Sequence, residues 1–173
     1  MIERRTCVVV GGGPAGMVVS LLLARAGVEV TVLEKHGDFL RDFRGDTVHP
    51  STMELLDELG LGERFNRLPQ SRLTRIAFPV VGGRLIVVGD LGRLKVRYPY
   101  IAMVPQWDLL DLLADAAREE PSFSLRMRCE VTGLIREDGR VRGVEYRTAD
   151  GSTNAIHADL VIGCDGRCSI TRQ

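Results

Sequence analysis

The glycine-rich turn Gly11-Gly-Gly-Pro-Ala-Gly16 constrains this chain more than any other feature. It follows Cys7-Val-Val-Val10, a short apolar run rich in β-branched residues that reads as a buried strand. Met17 to Ala26 then reads as a helix. Pro14 suits its first turn, where a missing N–H would have been unpaired anyway. Gly27 stands where a helix commonly closes on a left-handed residue. Val28 to Leu33 is a second apolar strand, ending on Glu34. Strand, glycine turn, helix and strand fill the roughly thirty residues that a βαβ crossover needs.

That spacing carries a specific chemistry. A pyrophosphate needs backbone N–H donors and room for close approach. Gly11 takes a tight-turn conformation that other residues resist. Gly13 has no side chain to hold the phosphates away, and Gly16 lets the helix pack close to the strand. The helix start at Pro14 and Ala15 brings N–H groups and a partial positive charge toward an anion. Glu34 lies eighteen residues after Gly16, with Lys35 beside it. A carboxylate at that strand end accepts hydrogen bonds from both ribose hydroxyls and repels a 2′-phosphate. No Lys-Ser/Thr follows the glycines, which excludes a P-loop. NAD and FAD both fit this geometry.

The rest of the chain alternates short elements without repeats, low-complexity tracts or flexible linkers. Residues 38–50 read as a loop, and a helix runs from there to about Leu59, with Ser51 and Glu54 as a capping box and Gly60 as its stop. Leu61 to Leu68 adds a short helix. Arg75–Val81, Arg84–Val88 and Val96–Met103 read as strands, with Gly82-Gly83 as a hairpin signal. Gln106 to Arg118 reads as a helix with Trp107, Leu110, Leu113, Ala114 and Ala117 on one face. Phe123–Arg126, Glu130–Arg136, Val141–Arg147 and Thr153–Ala158 are expected strands, and Asp159–Gly163 is a separate, final one. The expected organisation is a first dinucleotide-binding segment at 1–70, a β-rich substrate-side segment at 71–104, and a second dinucleotide-binding segment at 105–173.

Composition narrows the partners. Lys plus Arg and Asp plus Glu are both 23, so the formal net charge is zero, which argues against a nucleic-acid binder. Hydrophobic residues are 45% and charged residues 27%, an ordinary balance for a packed core rather than for disorder. The four cysteines, Cys7, Cys129, Cys164 and Cys168, form no C-x-x-C pair and no zinc-ligand spacing, so no metal site is expected. Reduced thiols and the lack of a leader-like start imply a cytoplasmic protein without an integral membrane segment.

Two longer patterns resemble known families. Gly11, Gly13, Gly16, Ser20, Leu23, Gly27, Val30, Val32 and Glu34 are similar to the extended ADP-binding fingerprint of flavoproteins with two dinucleotide-binding domains, which usually carry Ala at the position of Ser20. This leans the cofactor toward FAD. Asp159-Leu-Val-Ile-Gly-Cys-Asp-Gly-Arg-Cys-Ser-Ile-Thr-Arg172 resembles the second motif of the class A flavoprotein monooxygenases, the family typified by para-hydroxybenzoate hydroxylase, through Asp165, Gly166, Ser169 and Arg172. The resemblance implies that Asp165 and Gly166 touch the FAD, that Arg44 lies near the flavin pyrophosphate, and that Gln106, opening its helix, faces the cofactor. It covers essentially the whole chain.

The resemblance also sets expectations for fold and activity. The fold is α/β, a Rossmann-like FAD-binding βαβ arrangement with a β-rich substrate-side insert. No Gly-Asp-Ala motif, the family's third, occurs here, so the resemblance implies the N-terminal portion of such a protein, truncated before the last FAD motif. An unfinished sheet edge implies a complementary chain or a homo-oligomer. The implied activity is hydroxylation of an aromatic or similar small organic substrate, dependent on FAD, NAD(P)H and O₂. A halogenase, a reductase-type flavoprotein and a catalytically inactive FAD-binding fragment share the same motifs. The sequence names no catalytic residue, and His36, His49 and His157 show no partner pattern.

Overall fold

The structure is a computed structural model that describes residues 3–40 and 47–172. Contacts divide the chain into two compact units, residues 1–39 with 113–173, and residues 40–112.

The first unit is built on a six-stranded sheet. Its strands are β1 (Glu3–Val10), β2 (Val30–Glu34), β8 (Phe123–Met127), β9 (Glu130–Glu137), β10 (Arg140–Arg147) and β11 (Thr153–Gly163), in the order β8-β2-β1-β11-β10-β9. β8, β2, β1 and β11 run parallel, while β10 is antiparallel to both β11 and β9. The parallel strands explain the apolar runs. Alternate residues of β1 enter two different cores: Cys7 and Val9 pack with Val30, Val32 and Ala24, while Val8 and Val10 pack with Leu33, Val144, Tyr146 and Ile156. Each fully buried aliphatic side chain contributes about 1.5–3 kcal/mol, so burial on both faces fixes β1 firmly. Burial also pushes the thiols of Cys7 and Cys129 up, as befits small core hydrophobes.

Helix α1 (Pro14–Arg25) joins β1 to β2. Its end follows from Gly27, at φ +77°: the Gly27 N–H donates to Ala24 O and the Val28 N–H to Leu23 O, a Schellman closure. The α/β Rossmann-like fold expected from the sequence is thus the observed one. Two elements differ from expectation. Residues 153–163 form one strand rather than two. Its first half pairs with β10 and its second with β1, and the polar residues His157 and Asp159 do not interrupt it because Asp159 is exposed while Ile156 and Ala158 are buried. The start of β1 reaches back to Glu3, further than its apolar run, by pairing with Ile156.

The second unit holds α2 (Pro50–Glu58), α3 (Gly62–Asn66), a three-stranded sheet of β3 (Thr47–Val48), β7 (Ile101–Met103) and β4 (Ser71–Leu73), and a separate hairpin of β5 (Arg75–Pro79) and β6 (Leu85–Asp90). Gly82 and Gly83 turn the hairpin at φ +92° and +75°. The expected capping box is absent. His49 is the N-cap, Pro50 is the first helical residue, and Ser51 falls inside the first turn. The strand expected from Val96 begins only at Ile101. Pro99 offers no N–H to a ladder, and the Tyr100 N–H turns back to Tyr98 O. Helix α4 (Gln106–Arg118) keeps its expected bounds, with Leu110, Leu113, Ala114 and Ala117 buried.

Candidate functional site

Three strand ends converge where the sheet order reverses around β1. α1 leads from β1 to β2 on one side, and the chain returns through β11 on the other. In open α/β sheets, ligands collect at the carboxyl ends of strands flanking such a reversal. Here those ends carry Gly11, Glu34 and Cys164-Asp165.

The glycines have separate jobs. Gly11 sits at φ +101°, and its N–H donates to Leu33 O at 2.9 Å. A Cβ there would lie 2.5 Å from Cys164 O, so the turn lies backbone against backbone on the exit of β11. A Cβ on Gly16 would collide with Gly11 O, which holds α1 close against its own turn. Gly13 is different. It has φ −75° and ψ −178°, and a Cβ there would meet nothing within 4 Å. Gly13 is the N-cap of α1 and makes no side-chain cap, and no acidic residue occupies the helix's first turn. Pro14 and Ala15 are exposed beside it. The helix therefore presents its positive end to open space at Gly13, with no acidic side chain of its own first turn beside it.

Glu34 is 2% exposed, yet it is fully engaged. Oε2 accepts the Gly12 N–H at 2.7 Å; Oε1 accepts the His36 N–H at 3.0 Å and lies 2.6 Å from His36 Nδ1. Gly12 is itself constrained, since a Cβ would sit 3.2 Å from Glu34 Oε2. Lys35 is exposed next to this pair. The role of Gly12 and the partnership of His36 with Glu34 escape a motif-level reading. A histidine two residues after the strand-end acid was the available signal.

Asp165 lies just beyond β11. Its Oδ2 accepts the N–H groups of Ile170 at 2.7 Å and Thr171 at 3.1 Å, and its Oδ1 accepts the Thr171 hydroxyl at 2.9 Å. Burial alone would raise its pKa. The hydrogen bonds from Ser169 and Thr171 outweigh that and hold the carboxyl below the usual aspartate range. Its carboxylate thus organises the following turn, while Gly166, at φ +78°, passes its carbonyl to Arg172. Thr171 also packs where a Gly163 side chain would be.

Gly11, Gly13, Pro14, Ala15, Gly16, Glu34, Lys35, Asp165 and Gly166 all belong to the first unit. Gln106 is the first residue of α4 and is half-buried in the second unit. Arg44 lies outside the described residues. Among the described residues no group of His, Cys, Asp and Glu is arranged to hold a metal ion, and no helix is long and apolar enough to cross a membrane.

The family described as "FAD binding domain" matches residues 4–173. Among curated proteins, the chain is 37% identical over 166 residues to a 6-methylpretetramide 4-monooxygenase of Streptomyces rimosus, covering 95% of this chain and 39% of that protein. Among solved structures, a p-nitrophenol 4-monooxygenase from Pseudomonas putida DLL-E4 superposes with a TM-score of 0.88 at 28% identity, covering 99% of this chain and 43% of that one. An anhydrotetracycline hydroxylase from Streptomyces rimosus gives a TM-score of 0.82 at 30% identity, covering 98% of this chain and 33% of that one. The chain spans well under half the length of each.

Proposed function

This chain belongs to the FAD-binding domain family, within the class A FAD-dependent aromatic monooxygenases, whose N-terminal portion it covers, and from that premise we propose that its glycine turn, the N-terminus of α1 and Glu34 hold the ADP half of FAD. The observation that carries this reading is the convergence of an uncapped helix start, an open Gly13 and a buried carboxylate at the same strand ends. The fit is chemical as well as spatial. The pyrophosphate is an anion and meets the positive end of α1 over a residue without a side chain. The Glu34 carboxylate stands at the end of the neighbouring strand, where an acidic side chain suits ribose hydroxyls.

In the longer protein, we infer, this unit serves an NAD(P)H- and O₂-dependent hydroxylation of an aromatic small molecule. The relatives' names support that class: each is named a monooxygenase or hydroxylase, of 6-methylpretetramide, p-nitrophenol and anhydrotetracycline respectively. FAD, once bound, supplies the redox and oxygen chemistry. The chain's own residues bind and orient the cofactor. Asp165 and Gly166 bring the end of β11 toward it, Arg44 and Gln106 are proposed to approach the flavin side, and residues 71–104 are proposed to form part of the substrate side. A Glu34 carboxylate in this place favours FAD over any 2′-phosphorylated dinucleotide.

Titration of the purified chain with FAD tests the reading. Quenching of flavin fluorescence at micromolar concentrations is expected, and no binding in that range would overturn it. Substrate-stimulated NADH or NADPH oxidation by the longer protein, with an oxygenated product, tests the activity. Oxidation without incorporation of oxygen under every phenolic substrate tried would reject it.

A further inference from the structure

We propose that the hairpin of β5 and β6 docks the protein on an anionic lipid surface, with its tip entering the boundary between headgroups and acyl chains. The proposal is independent of the FAD site, since the hairpin and the cations around it all lie in the second unit.

The hairpin is apolar on both faces and covered on neither. Cross-strand partners share a face, and successive pairs alternate between the two. Phe78 pairs with Ile86 on one face, and Pro79 pairs with Leu85 on the other. Phe78, Leu85, Ile86, Val87 and Val88 all keep more than half of their surface exposed, and Val81, at the tip, is exposed completely. A strand with a single core face carries polar residues on its other face. A protein laid against one side of this hairpin would leave the opposite side bare. A lipid interface surrounds an inserted tip and covers both sides at once. The depth is limited, because a two-stranded sheet has open edges whose N–H and C=O groups hydrocarbon does not satisfy. Residues 80–85, turned by Gly82 and Gly83, are the part that reaches the acyl chains.

Charge selects the kind of surface. The chain is neutral overall, yet residues 71–97 carry Arg72, Arg75, Arg84, Arg93, Lys95 and Arg97 against Asp90 alone. Asp90 is shared between Arg75 and Arg93 at the base of the hairpin. Arg84, two residues past the tip, and Lys95 are exposed and have no acidic partner among the described residues. The exposed run Arg93-Leu-Lys-Val-Arg97 alternates cations with aliphatic side chains. Long basic side chains lay their stems along apolar surface while their heads reach phosphate. Cations near an anionic leaflet add attraction to the burial of an apolar tip. The same charge disfavours a second copy as the occupant, because two basic hairpins brought together repel.

Flotation of the full 173-residue chain with lipid vesicles tests this. Phosphatidylcholine vesicles containing about 30% phosphatidylglycerol should retain the chain at least about tenfold better than pure phosphatidylcholine. Raising NaCl to about 0.5 M should remove most of that difference. Val81→Asp combined with Leu85→Asp should weaken binding to the anionic vesicles by about tenfold or more. Arg84→Glu combined with Lys95→Glu should do the same by about tenfold or more, without changing retention on neutral vesicles. All four positions are exposed, and circular dichroism with thermal melts checks that both variants keep the fold. Equal retention on neutral and anionic vesicles would overturn the proposal. So would undiminished binding in either double variant. Binding absent from the longer protein would overturn it by showing that the rest of that chain covers the hairpin. A dimer that is lost in Val81→Asp with Leu85→Asp, without any vesicle binding by the parent, would overturn it in favour of a second copy.

Discussion

A methyl group on Gly11 would sit 2.5 Å from the carbonyl oxygen of Cys164. The turn after the first strand and the exit of the last therefore touch main chain to main chain. Gly11→Ala would have to relieve both that collision and the strain of φ +101°. It should cost at least about 2 kcal/mol of stability. Gly16→Ala should do the same, by pushing α1 off the Gly11 carbonyl. Gly13→Ala meets nothing within 4 Å and keeps an ordinary φ. It should leave stability within about 0.5 kcal/mol while lowering FAD affinity by roughly tenfold or more, about 1.4 kcal/mol. Thermal melts alongside FAD titrations separate these outcomes, and a Gly13→Ala protein with undiminished affinity would remove this residue from the phosphate cradle.

Ser20 is wholly buried in α1, and its hydroxyl has no hydrogen-bond partner among the described residues. An unsatisfied buried hydroxyl costs about 1–3 kcal/mol, and alanine is the better helix former. Ser20→Ala should therefore stabilise the protein by about 1 kcal/mol, or about 2–4 °C in Tm. A lower Tm would mean that the hydroxyl has a use the packing does not reveal.

Glu3 and Arg126 join the start of β1 to the end of β8. Arg126 donates to both Glu3 oxygens, NH1 to Oε2 at 2.9 Å, and Arg5 adds a second cation. Hydrogen bonds from Arg126 hold the Glu3 carboxyl below its ordinary value, against an opposing effect of burial. A lowered folded-state pKa means stability that is present above the unfolded value, near 4.5, and lost as pH falls through the folded one. Glu3→Gln should lower Tm at neutral pH by about 2–4 °C, consistent with about 1 kcal/mol for a partly exposed bidentate pair. The gap between variant and parent should close as the carboxyl titrates in acid. A gap that persists unchanged in acid would show that charge is not its origin.

Asp165 caps the turn that follows β11. Asp165→Ala should abolish hydrogen-exchange protection at the Ile170 and Thr171 amides while leaving Val8 to Val10 protected. Because hydrogen bonds hold the Asp165 carboxyl low, protection in the parent should survive acidification below the usual aspartate range and then fail. Continued protection of both amides in the variant would count against this role.

The parts legible in the sequence share a property: their determinants are local. β1, the glycine turn, α1 and β2 lie within one stretch whose apolar period and glycine positions specify each element, and Gly27 marks its helix end directly. The Asp165 segment was legible for the same reason, although its carboxylate turned out to bind its own turn. What stayed hidden depends on distant partners. The continuity of β11 through His157 and Asp159 comes from strands on both flanks. The pairing of Glu3 with Arg126 spans 123 positions. Pro99 was visible, but how far it shortens β7 depends on where Tyr100 turns its N–H.

β1 sits between a neighbour that is synthesised soon after it and one that is far from it in sequence. Val10 pairs with Leu33 on one side and with Gly163 on the other. On the ribosome, β1, α1 and β2 emerge together as one local βαβ unit. The other flank of β1 stays bare until β11 has been made, and the contact order of that pairing is high. The glycine turn is therefore made with the first strand, but its main-chain contact with Cys164 forms only after β11 has followed. Until then the apolar run Cys7–Val10 is bare along that edge, and slow translation ahead of residue 153 should lengthen that exposure.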